Sequence, residues 1–110
     1  MNYSVLEPEA AQSVFPAARA HGVAVLVNRP FAEGGLLRRV RGKPLPALAR
    51  ELGCTSWAQL ALKFILGQPA VTCAIPGTRN PAYLADNIAA GEGAIPDEAT
   101  CRRIADLFLA

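Results

Sequence analysis

Three short β-prone runs, at residues 2–6, 23–27 and 71–75, constrain this chain more than any other feature of its sequence. The run at 23–27 is an unbroken apolar stretch, which is typical of a strand buried on both faces of a sheet. Segments with helical periodicity follow each run. Strands that alternate with helices are joined by right-handed crossovers, so the order predicts parallel strands and an α/β fold. The alternation alone leaves two architectures open, a doubly wound sheet and part of a closed barrel.

The first two helical segments are predicted from capping residues and apolar spacing. One helix is expected to begin at Ser13 and to stop at Gly22, with Pro16 in its first turn, where proline is tolerated. Residues 28–42 are expected to form a loop, and residues 46–52 a short helix.

A stronger helix is predicted at residues 56–66, where Ser56 and Gln59 have the spacing of a capping box. One apolar face of this helix is expected to pack in the core and consists of Trp57, Leu60, Ala61 and Phe64.

Two further helices follow the third run. Asn80 and Pro81 suit the N-cap and first residue of a helix whose buried stripe is expected to be Leu84, Ala85 and Ile88. A last helix from about Asp97 is expected to place Cys101, Ile104 and Phe108 together.

Length and composition indicate one small globular unit. The chain has 110 residues, 52% of them hydrophobic and 18% charged, whereas a complete TIM barrel takes roughly 250 residues. The net charge of +2 is too small to indicate a nucleic-acid or membrane partner. No segment has the pattern of a secretion signal or the roughly 20 apolar residues of a membrane span. We therefore expect a cytoplasmic protein without nucleic-acid or membrane partners.

The three cysteines, Cys54, Cys73 and Cys101, form no CxxC pair, and the single histidine, His21, is distant from them in sequence. This pattern argues against a disulfide framework or a zinc site, and it indicates a reducing compartment.

Ligands in α/β folds bind beyond the C-terminal ends of strands, so the segment after residue 75 is the first candidate site. Gly77 permits close backbone approach, Thr78 supplies a hydroxyl, Arg79 a guanidinium, and the following helix has free N-terminal amides. These groups together suit an anion. The alternative is a well-capped turn with Arg79 in solvent.

The segment after the second run, residues 28–35, combines Asn28, Arg29 and Phe31 with two glycines and suits the edge of a flat ligand. Its alternative is a plain surface loop, because glycine and proline need no ligand to explain them.

Other charged and titratable residues suggest no catalytic site. The basic residues Arg38, Arg39, Arg41 and Lys43 lack interleaved aromatic residues, so a solvated loop is favoured over a nucleic-acid contact. The candidates for proton transfer form no convincing pair and are Tyr3, Tyr83, His21, Lys43 and Lys63. A binding surface is therefore predicted without a catalytic acid.

Four strings carry a family resemblance: NYSVL at 2–6, GVAVLV at 22–27, SWAQLALK at 56–63 and VTCAIPGTRNP at 71–81, followed by Leu84 and the Asp86-Asn87 pair. In order and spacing they resemble the last three βα units of the aldo-keto reductases, over nearly the whole chain. The resemblance implies the C-terminal part of a TIM (β/α)8 barrel that uses NADPH, and less readily NADH, to reduce aldehydes and ketones.

The resemblance also implies roles for particular residues. Gly77, Thr78 and Arg79 are expected to contact the phosphates of NADPH, and Asp86 and Asn87 its adenine. A separate loop, made of Asn28, Arg29, Pro30 and Phe31, is expected to run beside the nicotinamide and pyrophosphate.

The sequence departs from the family pattern at three positions: Asn28 stands where many members have an aromatic residue, Gly77 where several have Lys, and Tyr83 where several have Arg. The family's catalytic Asp, Tyr, Lys and His come from earlier strands, so no catalytic residue is expected in this chain.

Two hypotheses remain open: a segment of a reductase that supplies cofactor-binding loops, and a non-catalytic nucleotide-binding or interaction module derived from the same fold. In either case, three barrel strands leave open edges and an uncovered apolar face, which predicts self-association or marginal stability.

Overall fold

The computed structural model describes residues 1–78 and 80–110, and its centre is a pair of short parallel strands. Strand β1 (Leu26–Val27) pairs with β2 (Cys73–Ala74) so that Leu26 lies opposite Cys73 and Val27 opposite Ala74. The first β-prone run joins β1 through a single parallel bridge between Asn2 and Asn28. The predicted parallel order is confirmed, although the strands are much shorter than the apolar runs.

The expectation that the strands are buried on both faces is wrong. Val25 and Val27 are 6% and 0% exposed, but Leu26 between them is 50% exposed, and Ile75 after β2 is 52% exposed. Successive side chains of a strand point to opposite faces, so one face of the β1–β2 pair lies on the core and the other faces solvent.

The rest of the described structure is largely helical, and α4 packs against β2. Their bounds are α1 (Val14–His21), α2 (Gly35–Arg39), α3 (Ala47–Glu51), α4 (Trp57–Leu66), α5 (Pro81–Ala89) and α6 (Glu98–Leu109), and a 3-10 turn spans Glu9–Ala11. The first helix follows Ser13 as predicted and ends at Gly22, which has a left-handed φ of 65°. Glycine adopts this conformation without steric cost, which explains the stop.

The expectation of a continuous loop at residues 28–42 is wrong, because α2 lies within it. Gly34 and Gly35, at the start of α2, favour a loop when the sequence is considered locally. Leu36 and Val40, however, are 0% and 2% exposed, and their burial in the core stabilises a short helix that propensity does not predict.

Helices α4 and α6 pack against each other, and most residues of their predicted apolar faces are buried. Leu60 and Ala61 on α4 and Ile104 and Phe108 on α6 are all 0% exposed. The indole of Trp57 packs edge-on against the Phe108 ring at 5.1 Å between ring centroids. Asp97 caps α6 by accepting a 2.8 Å hydrogen bond from the Thr100 amide.

The predicted buried stripe of α5 is wrong. Leu84, Ala85 and Ile88 are exposed, whereas Asp86 and Asn87 are partly buried. Helix α4 presents hydrogen-bonding side chains to α5, so α5 turns its polar side inward and leaves its apolar side in solvent.

Candidate functional site

The loops that follow β1 and β2 lie at the same edge of the strand pair. The strands are parallel and in register, and the Ile75 amide donates a 2.7 Å hydrogen bond to the Val27 carbonyl where both strands end. The β1 loop (residues 28–31) and the β2 loop (residues 76–78) are therefore neighbours. This arrangement is the one expected of a ligand site in an α/β fold.

In the β1 loop, Asn28 is exposed, Pro30 is buried and Phe31 packs partly against the core. Arg29 has a positive φ of 53°, which is uncommon for a residue with a side chain. Its guanidinium lies between two carboxylates, 3.7 Å from Glu7 Oε1 and 3.5 Å from Glu33 Oε1. These carboxylates offset the positive charge that Arg29 brings to the loop.

The β2 loop leads directly into α5. Gly77 and Thr78 are exposed, and apart from its chain neighbours no heavy atom of the described residues lies within 4 Å of the place where a β-carbon on Gly77 would stand. Thr78 Oγ1 accepts a 3.2 Å hydrogen bond from the Asn80 amide, and Asn80 Oδ1 caps α5 by accepting a 2.9 Å bond from the Ala82 amide. The predicted N-cap is confirmed. Arg79, the third predicted phosphate contact, lies outside the described residues.

Asp86 and Asn87 lie on α5, and the carboxylate of Asp86 is held by α4. Ser56 Oγ donates a 2.6 Å hydrogen bond to Asp86 Oδ2, and Gln59 Nε2 donates a 2.8 Å bond to Asp86 Oδ1. Ser56 also caps α4 by accepting from the Gln59 amide at 3.1 Å, so the capping residue is as predicted. In a capping box, the Gln59 side chain would accept a hydrogen bond from the Ser56 amide. It accepts one from the Thr55 amide instead, at 2.8 Å.

Lys63, one turn beyond Gln59 on α4, is 1% exposed and is bound entirely to backbone oxygens among the described contacts. Its Nζ donates to the carbonyls of Glu92 and Ala94, the second at 2.8 Å. Sequence reasoning predicted Ser56 as a cap but missed the hydrogen bonds that Ser56 and Gln59 make to Asp86, and it missed the buried contacts of Lys63. A signal was available, because Ser56, Gln59 and Lys63 are polar residues at i, i+3 and i+7 spacing in an otherwise apolar helix.

Burial makes Tyr3 an unfavourable proton donor at neutral pH. Tyr3 is 1% exposed, and burial raises the pKa of its hydroxyl although Gln68 donates a 3.1 Å hydrogen bond to it. A proton-transfer group works best with a pKa near the operating pH, so a raised value is unfavourable. Tyr83 is 65% exposed on α5, and His21 is exposed at the end of α1 as predicted.

The basic segment after the β1 loop is partly engaged with α6. Arg39 Nε donates a 3.0 Å hydrogen bond to the Phe108 carbonyl, and Lys43 Nζ contacts the Ala110 carbonyl at 3.5 Å. Cations at a helix C-terminus are favourable because they bind the last carbonyls. All four basic residues of the segment are exposed, in line with the solvated interpretation, although Arg38 and Arg39 lie on α2 rather than in a loop.

A cleft of about 790 Å³ is distinct from the candidate site. Phe15 and Arg19 of α1, Gln68 and the start of α6 line it, and none of the predicted cofactor-binding residues does. A smaller cavity of about 200 Å³ includes Pro76 and Asn87 and lies between β2 and α5. This smaller cavity borders the candidate site at Asn87.

Within residues 1–78 and 80–110, His, Cys, Asp and Glu side chains nowhere gather in a group of three or more that could hold a metal ion. The helices in the same ranges are too short or too polar to span a bilayer. Cys54 and Cys101 are buried free thiols, and Cys73 is exposed on β2.

Comparison with known proteins gave consistent matches. Residues 1–105 match the model of the aldo/keto reductase family. The chain is 32% identical to the uncharacterized oxidoreductase YrpG of Bacillus subtilis (strain 168), over 96% of this chain and 38% of that protein.

Two solved structures share the fold. The apo form of aldo-keto reductase AKR11C1 from Bacillus halodurans superposes with a TM-score of 0.70 at 24% identity, over 97% of this chain and 41% of that one. The thermostable aldo-keto reductase Tm1743, in complex with the inhibitor epalrestat, also has a TM-score of 0.70, at 18% identity, over 96% of this chain and 38% of that one. The chain thus spans about two fifths of the length of the relatives it matches, and its fold is that of part of their TIM barrels.

Proposed function

This chain belongs to the aldo-keto reductase family, and we propose that it supplies the loops that hold NADPH in an enzyme that transfers hydride between this cofactor and aldehydes or ketones. When bound, the cofactor supplies the hydride. The residues of this chain bind and orient it. We assign no proton transfer to them, because Tyr3 is buried with a raised pKa and Lys63 is bound to carbonyls.

The in-register pairing of β1 with β2 is the observation that supports this function best. It brings the β1 loop and the β2 loop to one edge, beside the capped start of α5. The exposed Thr78 and the open space at Gly77 fit a phosphate group, because a bulky anion can approach the backbone closely there. We propose that Gly77, Thr78 and Arg79 contact the phosphates of the cofactor.

The remaining proposed contacts lie on either side of that phosphate site. Asp86 and Asn87 on α5 are proposed to contact the adenine. Residues 28–31 are proposed to run beside the nicotinamide and pyrophosphate, where the carboxylates around Arg29 weaken its attraction for phosphate. Arg79 then supplies the main positive charge for the 2′-phosphate, and NADH is expected to bind more weakly than NADPH.

Calorimetric titration of the full chain with adenosine 2′-phosphate, adenosine and NADPH tests this proposal. Arg79→Ala should weaken binding of adenosine 2′-phosphate by about 10-fold or more, because charge-assisted hydrogen bonds are lost, and should leave adenosine binding unchanged. Arg102→Ala is the matched control, since Arg102 is exposed on α6 and paired with Glu98. Absence of binding by a folded sample, or equal losses in both variants, would refute the proposed site.

A further inference from the structure

The cleft of about 790 Å³ lies toward the opposite end of β2 from the candidate site. Gln68, Pro69 and Ala70 line it and lead into β2, whereas the β2 loop follows that strand. Small-molecule sites have volumes of roughly 300–1,000 Å³. The cleft is therefore large enough for a ligand and separate from the proposed cofactor site.

Aromatic and aliphatic side chains form much of the cleft. Tyr3, Phe15 and Phe64 line it, and the Tyr3 ring centroid lies 4.8 Å from that of Phe15 and 5.5 Å from that of Phe64. These rings are buried against one another, so they fix the shape of the cleft. Ile95 also lines it and is 53% exposed, which leaves apolar surface for a ligand to cover.

Tyr3 and Gln68 offer a hydrogen-bond donor and an acceptor side by side. Gln68 Nε2 donates a 3.1 Å hydrogen bond to the Tyr3 hydroxyl oxygen. Among the described hydrogen bonds, the Tyr3 hydroxyl proton has no acceptor and Gln68 Oε1 has no donor. Burial raises the pKa of Tyr3, so its hydroxyl keeps this proton at neutral pH. An amide group, which has one C=O and one N–H, would satisfy both.

Arg19 brings a positive charge to the same cleft. It lies four residues after Phe15 on α1, and side chains at this spacing share one face of a helix. The ion pairs of the described residues do not include Arg19. The two carboxylates that line the cleft are engaged on α6, because Asp97 caps it and Glu98 pairs with Arg102 at 2.6 Å. An anionic group of a ligand is therefore expected to bind at Arg19.

We propose that this cleft binds a small aromatic N-acyl amino acid, with its ring on the apolar lining, its amide at Tyr3 and Gln68, and its carboxylate at Arg19. The amide carbonyl of the ligand accepts from the Tyr3 hydroxyl, and its N–H donates to Gln68 Oε1. The guanidinium suits the carboxylate, because its donors match the two oxygens. This site goes beyond the proposed function, since it uses none of the residues assigned to the cofactor.

Titration of the full, isotopically labelled chain with three probes, followed by two-dimensional NMR, tests this site. Hippurate has the ring, the amide and the carboxylate, 4-phenylbutanoate replaces the amide with methylene groups, and hippurate methyl ester lacks the charge. Hippurate should bind with a dissociation constant of about 1 mM or below. It should shift the amide signals of residues 66–70 and 95–98. Each of the other probes should bind about fivefold more weakly.

Four variants assign these losses to particular groups. Tyr3→Phe and Gln68→Met should each reduce the preference for hippurate over 4-phenylbutanoate, whereas a purely structural defect would weaken both probes equally. Gln68 is partly exposed, so Gln68→Met keeps the test available if Tyr3→Phe fails to fold. Arg19→Gln should weaken both carboxylates by about tenfold and leave the ester unchanged. Arg50→Gln, an exposed change on α3, is the matched control and should alter none of the affinities.

Several results would overturn the proposal. They are the absence of shifts in a folded sample, shifts confined to residues outside the cleft, and a preference for hippurate that survives in the folded Tyr3 and Gln68 variants. Equal losses in Arg19→Gln and Arg50→Gln would also overturn it. NADPH binding enters none of these measurements, so the site and the proposed function stand or fall separately.

Discussion

Gly67 and Cys101 lie so close together that a β-carbon on Gly67 would overlap the Cys101 sulfur, and it would also lie 3.0 Å from the Pro96 carbonyl oxygen. Gly67 has an ordinary right-handed φ of −68°, so the constraint is steric rather than conformational. Gly67→Ala should lower the free energy of unfolding by about 1–3 kcal/mol, because the end of α4 is pushed away from α6. Urea denaturation followed by circular dichroism measures this change.

A double-mutant cycle identifies the atom responsible for that loss. Cys101→Ala removes the sulfur and should itself destabilise the core, but Gly67→Ala should then cost less than it does in the wild type. A coupling free energy above about 0.5 kcal/mol is expected for residues in contact. Additive losses would show that the sulfur is not the obstacle.

The elements that sequence predicts well are those determined locally. Helix α4 begins where Ser56 can cap it, and α6 begins at Asp97, because a capping side chain bonds to amides only a few residues away. The orientation of α5 is a different case. It depends on Asp86 meeting Ser56, thirty residues earlier, and apolar spacing within α5 holds no information about that contact.

The candidate site shows the same difference between features set by local sequence and features set by distant contacts. The position of both loops follows from strand order, since parallel strands end at one edge. The charge of the β1 loop does not follow from order, because Glu7, which offsets Arg29, is 22 positions away in sequence. Short-range patterns therefore predict where the site lies, and long-range contacts determine its electrostatics.

Stability should fall at alkaline pH because buried groups that are neutral in the folded state must ionise. Burial raises the pKa of Cys101 to about 11 from 9.0, and neighbouring Asp97 and Glu98 add to the shift. Stabilisation from a raised pKa is fully present below the unfolded value and is lost as pH rises through the folded value. Urea midpoints should therefore decrease between about pH 9 and pH 11.

Thiol variants check this assignment. Burial also raises the pKa of Tyr3, which adds to the loss of stability in the same direction above pH 10.0, its ordinary value. Cys101→Ala should flatten the decrease between pH 9.0 and about 11, whereas Cys73→Ala, at an exposed thiol, should leave it unchanged. An identical pH profile for wild type and Cys101→Ala would contradict the prediction.

Arg39 should contribute to stability through the C-terminal end of α6. Its Nε donates at 3.0 Å to the Phe108 carbonyl, one of the carbonyls that the helix itself leaves unpaired. Arg39→Ala should lower the free energy of unfolding by about 1–2 kcal/mol. Arg41→Ala, an exposed change in the same segment, should alter it by less than about 0.5 kcal/mol. If Arg39→Ala and Arg41→Ala lowered the free energy of unfolding equally, the cause would be the change in net charge and not the hydrogen bond to Phe108.

The uncovered face of the strand pair should cause the isolated chain to self-associate. Leu26 and Ile75 are 50% and 52% exposed, and Cys73, which lies opposite Leu26, is also exposed, so adjacent strands present apolar side chains to solvent. Such a face together with open strand edges favours pairing with another chain. Light scattering during gel filtration should show a mass that rises with protein concentration.

Leu26→Thr with Ile75→Thr should shift the protein toward monomer, since threonine preserves strand propensity and reduces apolar area. Ile95→Thr, an exposed position before α6, is the control and should leave association unchanged. A wild-type chain that is monomeric at every concentration and unfolds cooperatively would contradict this prediction.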